Sequence, residues 1–573
     1  MRKAFTVVLS LFLLAGVVFA SGQAAQQAGA APSQQVVEFP RNETLYSSGT
    51  MWAPPSNWNP YTPWAVATGT IGLCYEPLFL YDPLKDEFIP WLAESGKWVD
   101  AKTYELKVRK GITWQDGKPL TAEDVKFTFE LAKQQSVSLS TIWDWLAEIV
   151  KVDDYTLRFT FSDPRYQSWD NTLYTQGIVP KHIFEGKEDV ANDANENPVG
   201  SGAYKYYGHS EDRMIWVRNE DWWATKLLGK KVAPKYIVDI RNSSNNVALG
   251  MVVKGELDLS NNFLPGIAAL VKQGYVKTYY DGPPYMLSAN TAFLWLNLTK
   301  KPLNDPAFRR AIAFAIDTQK IVNVAYAGLV QASDPTGLLP TWSKYIDKNV
   351  VARYGFKYDT AQAKKILADA GYKDVDGDGF VEAPDGSKIR LSVIVPFGWT
   401  DWMESIKIVA EGCKAAGINV EPEYPDFGGY SDQLYGGTFD MAINNFGSGL
   451  SNTPWTFYNW VFYHPISDNM PNGNFGRYNN QQIFDLVEQL NRVPTDDTEG
   501  MKAVISKIQE IQLKEMVAIP LWFNGLWAQF NTSVWTNWPT AAPDTPDYMP
   551  CLWGGYVQVG GLLTLTELKP AQQ

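Results

Sequence analysis

Histidine and cysteine are scarce: the 573 residues hold three of each. His182, His209 and His464 are far apart in the chain, so catalysis or metal binding through clustered histidines has no sequence support. Cys74, Cys413 and Cys551 form no CxxC and no metal spacing. An odd count leaves at least one thiol free, and the spacing leaves open whether the other two pair. Lys and Arg form no basic stripe, and the net charge is −12. Such a surface repels phosphate backbones and argues against a nucleic-acid partner. No apolar run beyond the first twenty residues reaches membrane-spanning length.

What the chain has in excess is aromatic surface: 23 Trp, 29 Tyr and 27 Phe. Tryptophan at this level exceeds ordinary core packing. Its flat apolar face and single N–H suit a wall that binds something partly apolar and partly polar. Charged residues make up 20%, which indicates a globular chain, and the length calls for two or three domains.

Residues 1–20, MRKAFTVVLSLFLLAGVVFA, read as a cleaved secretory signal. Arg2 and Lys3 start it, an apolar core follows, and Ala20 is the small residue before the cut. Val17 stands where a lipid-bearing Cys would be, so no lipid anchor is expected. Losing Arg2 and Lys3 would take the charge from −12 to −14. Residues 21–35 are Gln/Ala-rich and read as a tether. The expected location is periplasmic or extracytoplasmic.

From Val36 the pattern is mixed α and β. TYELKVR (103–109) and 153–161 alternate like half-buried strands. Between them TAEDVKFTFELAK carries an N-cap at Thr121 and an apolar stripe at Val125, Thr128, Phe129 and Ala132. Asp305 and Pro306 open a second helix. A third, with Ala363, Ile366, Leu367 and Ala370 on one face, ends where Gly371 suits a left-handed cap. KIRLSVIV (388–395) and INVEPEY (418–424) read as strands, so the second half alternates helix and strand.

Six stretches occur together in order: 91–130 (WLAESGKWVDAKTYELKVRKGITWQDGKPLTAEDVKFTFE), NPVGSGAYKY (197–206), RNEDWW (218–223), VVKGELDL (252–259), LNDPAFRRAIAFAID (303–317) and YDTAQAKKILADAGY (358–372). In this the chain resembles the family 5 extracytoplasmic solute-binding proteins of ABC transporters, which include dipeptide-, oligopeptide-, nickel- and oligosaccharide-binding members. The resemblance implies an α/β fold of two lobes with a hinge, mixed sheets flanked by helices and an extra α+β subdomain in lobe 1. The implied boundaries are 36–75, 198–290 and 520–573 for lobe 1, 76–197 for the subdomain and 291–519 for lobe 2. It also implies a binding protein without catalysis, a monomer, whose partner is a membrane permease. Ligands in such folds bind past the carboxyl ends of strands, and closure is a hinge motion.

Peptide-binding members carry an aspartate for the ligand's α-amino group after a strand of lobe 2. The ungapped match here is Gly449, within FDMAINNFGSGLSNTPWTFYNW (439–460), and no Asp or Glu lies between Met441 and Tyr463. A buried ammonium without a counter-ion is costly. The same stretch offers Trp455 with Asn444 and Asn445. Flat indoles stack on the C–H faces of a pyranose, and amides both donate to and accept from its hydroxyls. Other strand-end loops repeat the pattern: Trp52, Asn57, Trp58 and Trp64; Asn261 and Asn262; Trp399 and Trp402; Trp522, Asn524 and Trp527. The candidate ligand residues are Trp52, Asn57, Asn261, Trp399, Trp402, Asn444, Asn445, Trp455, Trp522 and Asn524. A lone loop Trp is more often a packing residue, so about half of the set is expected to touch ligand. Trp143, Trp145, Trp222 and Trp223 are assigned to packing.

The reading is an oligosaccharide receptor, for β-linked gluco- or manno-oligosaccharides. An oligopeptide receptor is the alternative, with its amine on another carboxylate such as Asp401, Asp426 or Asp432. A secreted glycosidase would need two carboxyls about 5 to 9.5 Å apart. No cofactor is expected. DVDGDGFVEAPDG (374–386) matches the start of a calcium loop, with Asp374, Asp376, Asp378 and Asp385 as ligands of a structural ion. The stretch also reads as no more than an acidic turn, with DGDG and PDG as turn formers.

Overall fold

The structure is a computed structural model and describes residues 39–62, 67–445, 451–550 and 559–572. The leader, the tether, Trp64, Gly449 and Cys551 lie outside the described residues.

The chain opens with β1 (Thr44–Ser48) and then builds a four-stranded antiparallel sheet. Its strands are β2 (Ala93–Asp100), β3 (Thr103–Val108), β4 (Leu146–Asp153) and β5 (Thr156–Phe161), in the order β2-β3-β5-β4. Helix α1 (Ala122–Gln134) lies between β3 and β4 in the chain. The Thr121 hydroxyl accepts from the Glu123 N–H, and the Asp124 carboxylate accepts from the Thr121 N–H, so the expected cap is reciprocal. Helix α2 (Tyr166–Thr175) follows β5. The chain then returns through β6 (Tyr204–Ser210), β7 (Arg213–Arg218), β8 (Tyr236–Ile240), α3 (Asn245–Val253) and β9 (Leu259–Ser260).

The second half lays down β10 (Ser288–Leu296), α4 (Pro306–Ala315), β11 (Gln331–Ala332), α5 (Thr360–Asp369) and β12 (Leu391–Ile394). After these come α6 (Thr400–Ala415), β13 (Val420–Glu423), β14 (Met441–Asn445), α7 (Trp455–Val461), α8 (Gln481–Asn491) and α9 (Thr498–Glu515). Strands β15 (Ala518–Gly525) and β16 (Gln529–Phe530) complete the two large sheets. Gly371 after α5 takes φ +89°, the left-handed value expected of it.

Two six-stranded mixed sheets result, ordered β16-β9-β1-β8-β7-β6 and β11-β15-β10-β14-β12-β13. In the first, β1 runs parallel to β8 and β9; in the second, β12 runs parallel to β13 and β14. One apolar core ties the first sheet to the four-stranded sheet, through Leu45 and Ile237 with Leu106, Phe159 and Trp169. Another surrounds the second sheet, through Leu294, Ile443 and Ile519 with Ile312, Val409 and Ile505. The chain passes between the sheets between β9 and β10, and again between β15 and β16. This is the two-lobe α/β fold.

The aromatic stretch after β14 differs from expectation. It does not stay a loop: Trp455–Val461 forms α7, with every residue but Asn459 buried. Trp222 and Trp223 are packing residues as assigned, and both donate their indole N–H to the buried Glu76.

Candidate functional site

A cavity of about 310 Å³ lies where strand ends of both sheets meet. From the first sheet, Thr50 and Trp52 follow β1, Asn245 opens α3 after β8, and Asn261 and Asn262 follow β9. From the second sheet, Trp399, Asp401 and Trp402 follow β12, and Asn445 ends β14. Asn290 and Asn524 sit opposite each other in the β10–β15 register. Phe263 and Trp527 come from the segments that cross between the sheets. Parallel neighbours leave their carboxyl ends splayed toward one crevice, and this cavity occupies it.

Glycine makes two of the approaches. Gly49 has φ +99°, and a Cβ there would lie 2.6 Å from the Asn261 carbonyl carbon, so the end of β1 can press against Asn261 and Asn262. Gly398 has φ +88°, and a Cβ there would lie 2.7 Å from the Ser243 carbonyl oxygen. The Gly398 carbonyl accepts from the Asn245 N–H at 3.2 Å. Backbones of the two lobes therefore touch at this point.

The walls are aromatic and the edges are amides. The Trp52 and Trp399 rings are 4.9 Å apart, and Trp399 meets Trp402 edge-on at 4.8 Å. Phe263 contacts Trp527 at 5.1 Å. Asn261 donates to the Trp527 carbonyl at 2.7 Å, and Asn262 accepts from the Asn242 amide at 3.1 Å. Among the described residues, the Asn262 amide nitrogen and the Asn290 amide oxygen are buried without a hydrogen-bond partner. Among the described residues one carboxyl lines the cavity, that of Asp401. It accepts from Asn245 at 3.0 Å and from the Tyr326 hydroxyl at 3.1 Å. Burial pushes it up to about 6. Below the site, Asp239 accepts from Ser47 and Thr50, and burial raises it to about 6 as well.

Of the candidates, Trp52, Asn261, Trp399, Trp402, Asn445 and Asn524 line this cavity. Four do not. Asn57 is a turn residue whose side chain accepts from the Asn59 N–H and the Thr62 hydroxyl. Asn444 precedes Asn445 on β14, so the two-residue period turns it to the opposite face. Trp455 begins α7 and is 6% exposed, within the second core. Trp522 is fully buried on β15 against Tyr326 at 5.1 Å, and its N–H reaches the Asn524 amide oxygen at 3.4 Å. It supports a lining residue from behind.

The lining also includes residues outside that candidate set. Asn245 lies in SSNN after β8, where it reads as an ordinary helix start. Asn290 is the clearer case, an amide inside the apolar strand SANTAFLWL, and that interruption was the available signal.

The acidic loop is arranged differently from the calcium expectation. Asp374, Asp376 and Glu382 bring one oxygen each within 4.8 Å of one another. Asp385 does not join them; its carboxylate accepts from the Ser387 N–H and hydroxyl. Lys388 pairs with Asp376 and Asp378, while Asp374 accepts from the N–H groups of Gly377 and Gly379.

Residues 87–468 match the family model described as bacterial extracellular solute-binding proteins, family 5 Middle. The chain belongs to this family, the solute-binding proteins of ABC transporters. It is similar to a periplasmic oligopeptide-binding protein of an oligopeptide ABC transporter from Thermotoga maritima, whose crystal structure has mannohexaose bound. Identity is 51% and the TM-score 0.90, covering 94% of this chain and all of that one. It is 27% identical to the oligopeptide-binding protein AppA of Bacillus subtilis over 373 residues, which span 63% of this chain and 66% of AppA's length. The AppA structure, in complex with a nonapeptide, shares the fold at a TM-score of 0.73. Among the described residues no helix is long and apolar enough to cross a membrane.

Proposed function

We propose that this chain captures oligosaccharides outside the membrane, β-linked gluco- or manno-oligosaccharides in particular, and presents them to the permease of an ABC importer. The carrying observation is the pairing of four cavity tryptophans with a rim of six asparagines. Within that rim, Asn262 offers an unpartnered donor and Asn290 an unpartnered acceptor. A hydroxyl satisfies both kinds of group at once, whereas a carboxylate only accepts and an ammonium only donates. The mannohexaose bound to the 51% identical Thermotoga maritima protein supports the same cargo class. Trp52 and Trp399, one from each lobe, already meet at 4.9 Å, so both indoles belong to the wall a sugar would stack against.

The peptide reading draws on Asp401, a carboxyl in the cavity wall, and on the AppA relative. Both Asp401 oxygens already have donors, and burial favours its neutral form. It is therefore a poor anchor for a peptide amine. Hydrolysis would call for two carboxyls, and among the described residues the lining supplies one.

Tryptophan fluorescence titration tests the assignment, with cello-, laminari-, manno- and xylo-oligosaccharides against di- to pentapeptides. A saturable shift with one sugar series supports the proposal and gives the linkage. A response to peptides alone overturns it.

A further inference from the structure

Among the described residues, the chain joins the two lobes between β9 and β10 and between β15 and β16. Contacts between the lobes away from these crossings part when the cleft opens. One such contact is made by α2 and the residues just before it, which belong to the first core through Trp169. They meet α8, the start of α9 and the segment before α7, which belong to the second core through Ile483, Val487 and Met501.

Ion pairs and hydrogen bonds run across this seam. Arg492 donates to both Asp163 oxygens, at 2.8 and 2.9 Å from Nε and at 2.5 Å from Nη2. Arg165 lies 3.1 Å from Glu488. Gln167 donates to the Val493 carbonyl at 2.7 Å, and Asn491 accepts from the Ser168 N–H at 3.0 Å. The Thr495 hydroxyl donates to Asp170 at 2.9 Å, and the Tyr174 hydroxyl sits 3.1 Å from that of Ser451. None of these residues lines the sugar cavity. Permanently packed layers bury apolar side chains against each other. An interface of ion pairs and hydrogen bonds can instead be rehydrated at modest cost each time it opens.

We propose that this seam is a closure latch: Asp163 and Arg492, with Arg165 and Glu488, hold the lobes shut around a bound solute and lengthen its residence without touching it. Closing free energy and cargo recognition are then carried by different residues. The Asp163–Arg492 pair is a fork, with Arg492 Nε donating to Oδ1 and Nη2 to Oδ2, and this bidentate geometry fixes one orientation. The proposal needs a closing receptor and does not depend on the cargo being a sugar.

The test uses the full-length protein with spin labels at Tyr207→Cys and Tyr358→Cys, two exposed positions in opposite lobes. Label distances and solute off-rates are measured without solute, with mannohexaose, and in a separate arm with a nonapeptide. The second arm shows whether a silent sugar reflects a wrong cargo rather than a wrong latch. Arg492→Ala and Thr495→Val should raise the off-rate about three- to tenfold and widen the distance distribution, at an unchanged Tm. The exchange Asp163→Arg with Arg492→Asp should recover part of the loss, and 0.5 M salt should shrink the gap to wild type. Identical distances and off-rates for variant and wild type in every arm overturn the latch. A fall in Tm with unchanged distances and off-rates overturns it too, as the mark of a static packing contact.

Discussion

Trp52, just past the first strand of one lobe, and Trp399, just past a strand of the other, meet with ring centroids 4.9 Å apart at an interplanar angle of 49°. An aromatic pair of this kind contributes about 0.5–1.5 kcal/mol beyond its buried area. It also places two indoles where closure brings them against the same solute. Trp399→Ala should weaken oligosaccharide binding on the order of thirtyfold and remove part of the fluorescence response. Trp455→Phe, in the core, should leave the affinity within about twofold of wild type and change only Tm. Isothermal titration of both variants checks the contrast.

The Asn262 and Asn290 amides should discriminate hydroxyl patterns. Asn262→Asp keeps the oxygen that accepts from Asn242 and replaces the free donor with an acceptor. A buried polar group left unpaired costs about 1–3 kcal/mol, so affinity for the preferred sugar should fall roughly ten- to a hundredfold. Titration with single-hydroxyl deoxy sugars should show the mutant indifferent to one hydroxyl that wild type requires.

Gly398→Ala should oppose closure. The new methyl meets the Ser243 carbonyl oxygen across the cleft, at a left-handed φ that alanine adopts poorly. The expected result is a higher Kd with a more open radius of gyration in small-angle scattering at saturating solute. Gly377→Ala has a similar φ but no atom within 4 Å of the new Cβ, so it should lower stability without changing closure.

Stability should fall as pH rises from about 4 to 6. Asp239 is buried, and burial lifts it from 3.8 to about 6, so the folded protein holds a proton that the unfolded chain has released. Folding is therefore favoured by this proton at low pH, and that contribution is lost as pH climbs through the folded value. Asp401 acts in the same direction. Asp239→Asn should flatten this part of the Tm–pH curve and be more stable at pH 8 by on the order of 2 kcal/mol.

Glu76 gathers the indole N–H groups of Trp91, Trp222 and Trp223 and the Ser201 hydroxyl around one fully buried carboxyl. Burial pushes this carboxyl up, against the pull of its four donors. Glu76→Leu would strand those donors and should cost more than about 3 kcal/mol, read as a large drop in the urea midpoint.

Local physics was legible in the sequence. The cap at Thr121, the stripe of α5 with Gly371 beyond it, and the strand at Leu391–Ile394 each follow from residue periodicity and turn chemistry within a few positions. The abundance of tryptophan at strand ends was legible too, and Trp52, Trp399, Trp402 and Trp527 of that set line the cavity. Which of those side chains face the cavity was decided by tertiary structure alone. Asn444 and Asn445 are neighbours, yet one bond of strand register sends only the second inward. Trp455 and Trp399 read alike in sequence, but the helix after Pro454 rolls Trp455 into the core while Trp399 stays half-buried at the cleft. Asn245, Asn290 and Asp401 come from three distant segments and share a wall only because two sheets present their strand ends to one crevice. Short-range rules act over a few residues of chain; a binding wall is a long-range object, set by how the lobes close on each other.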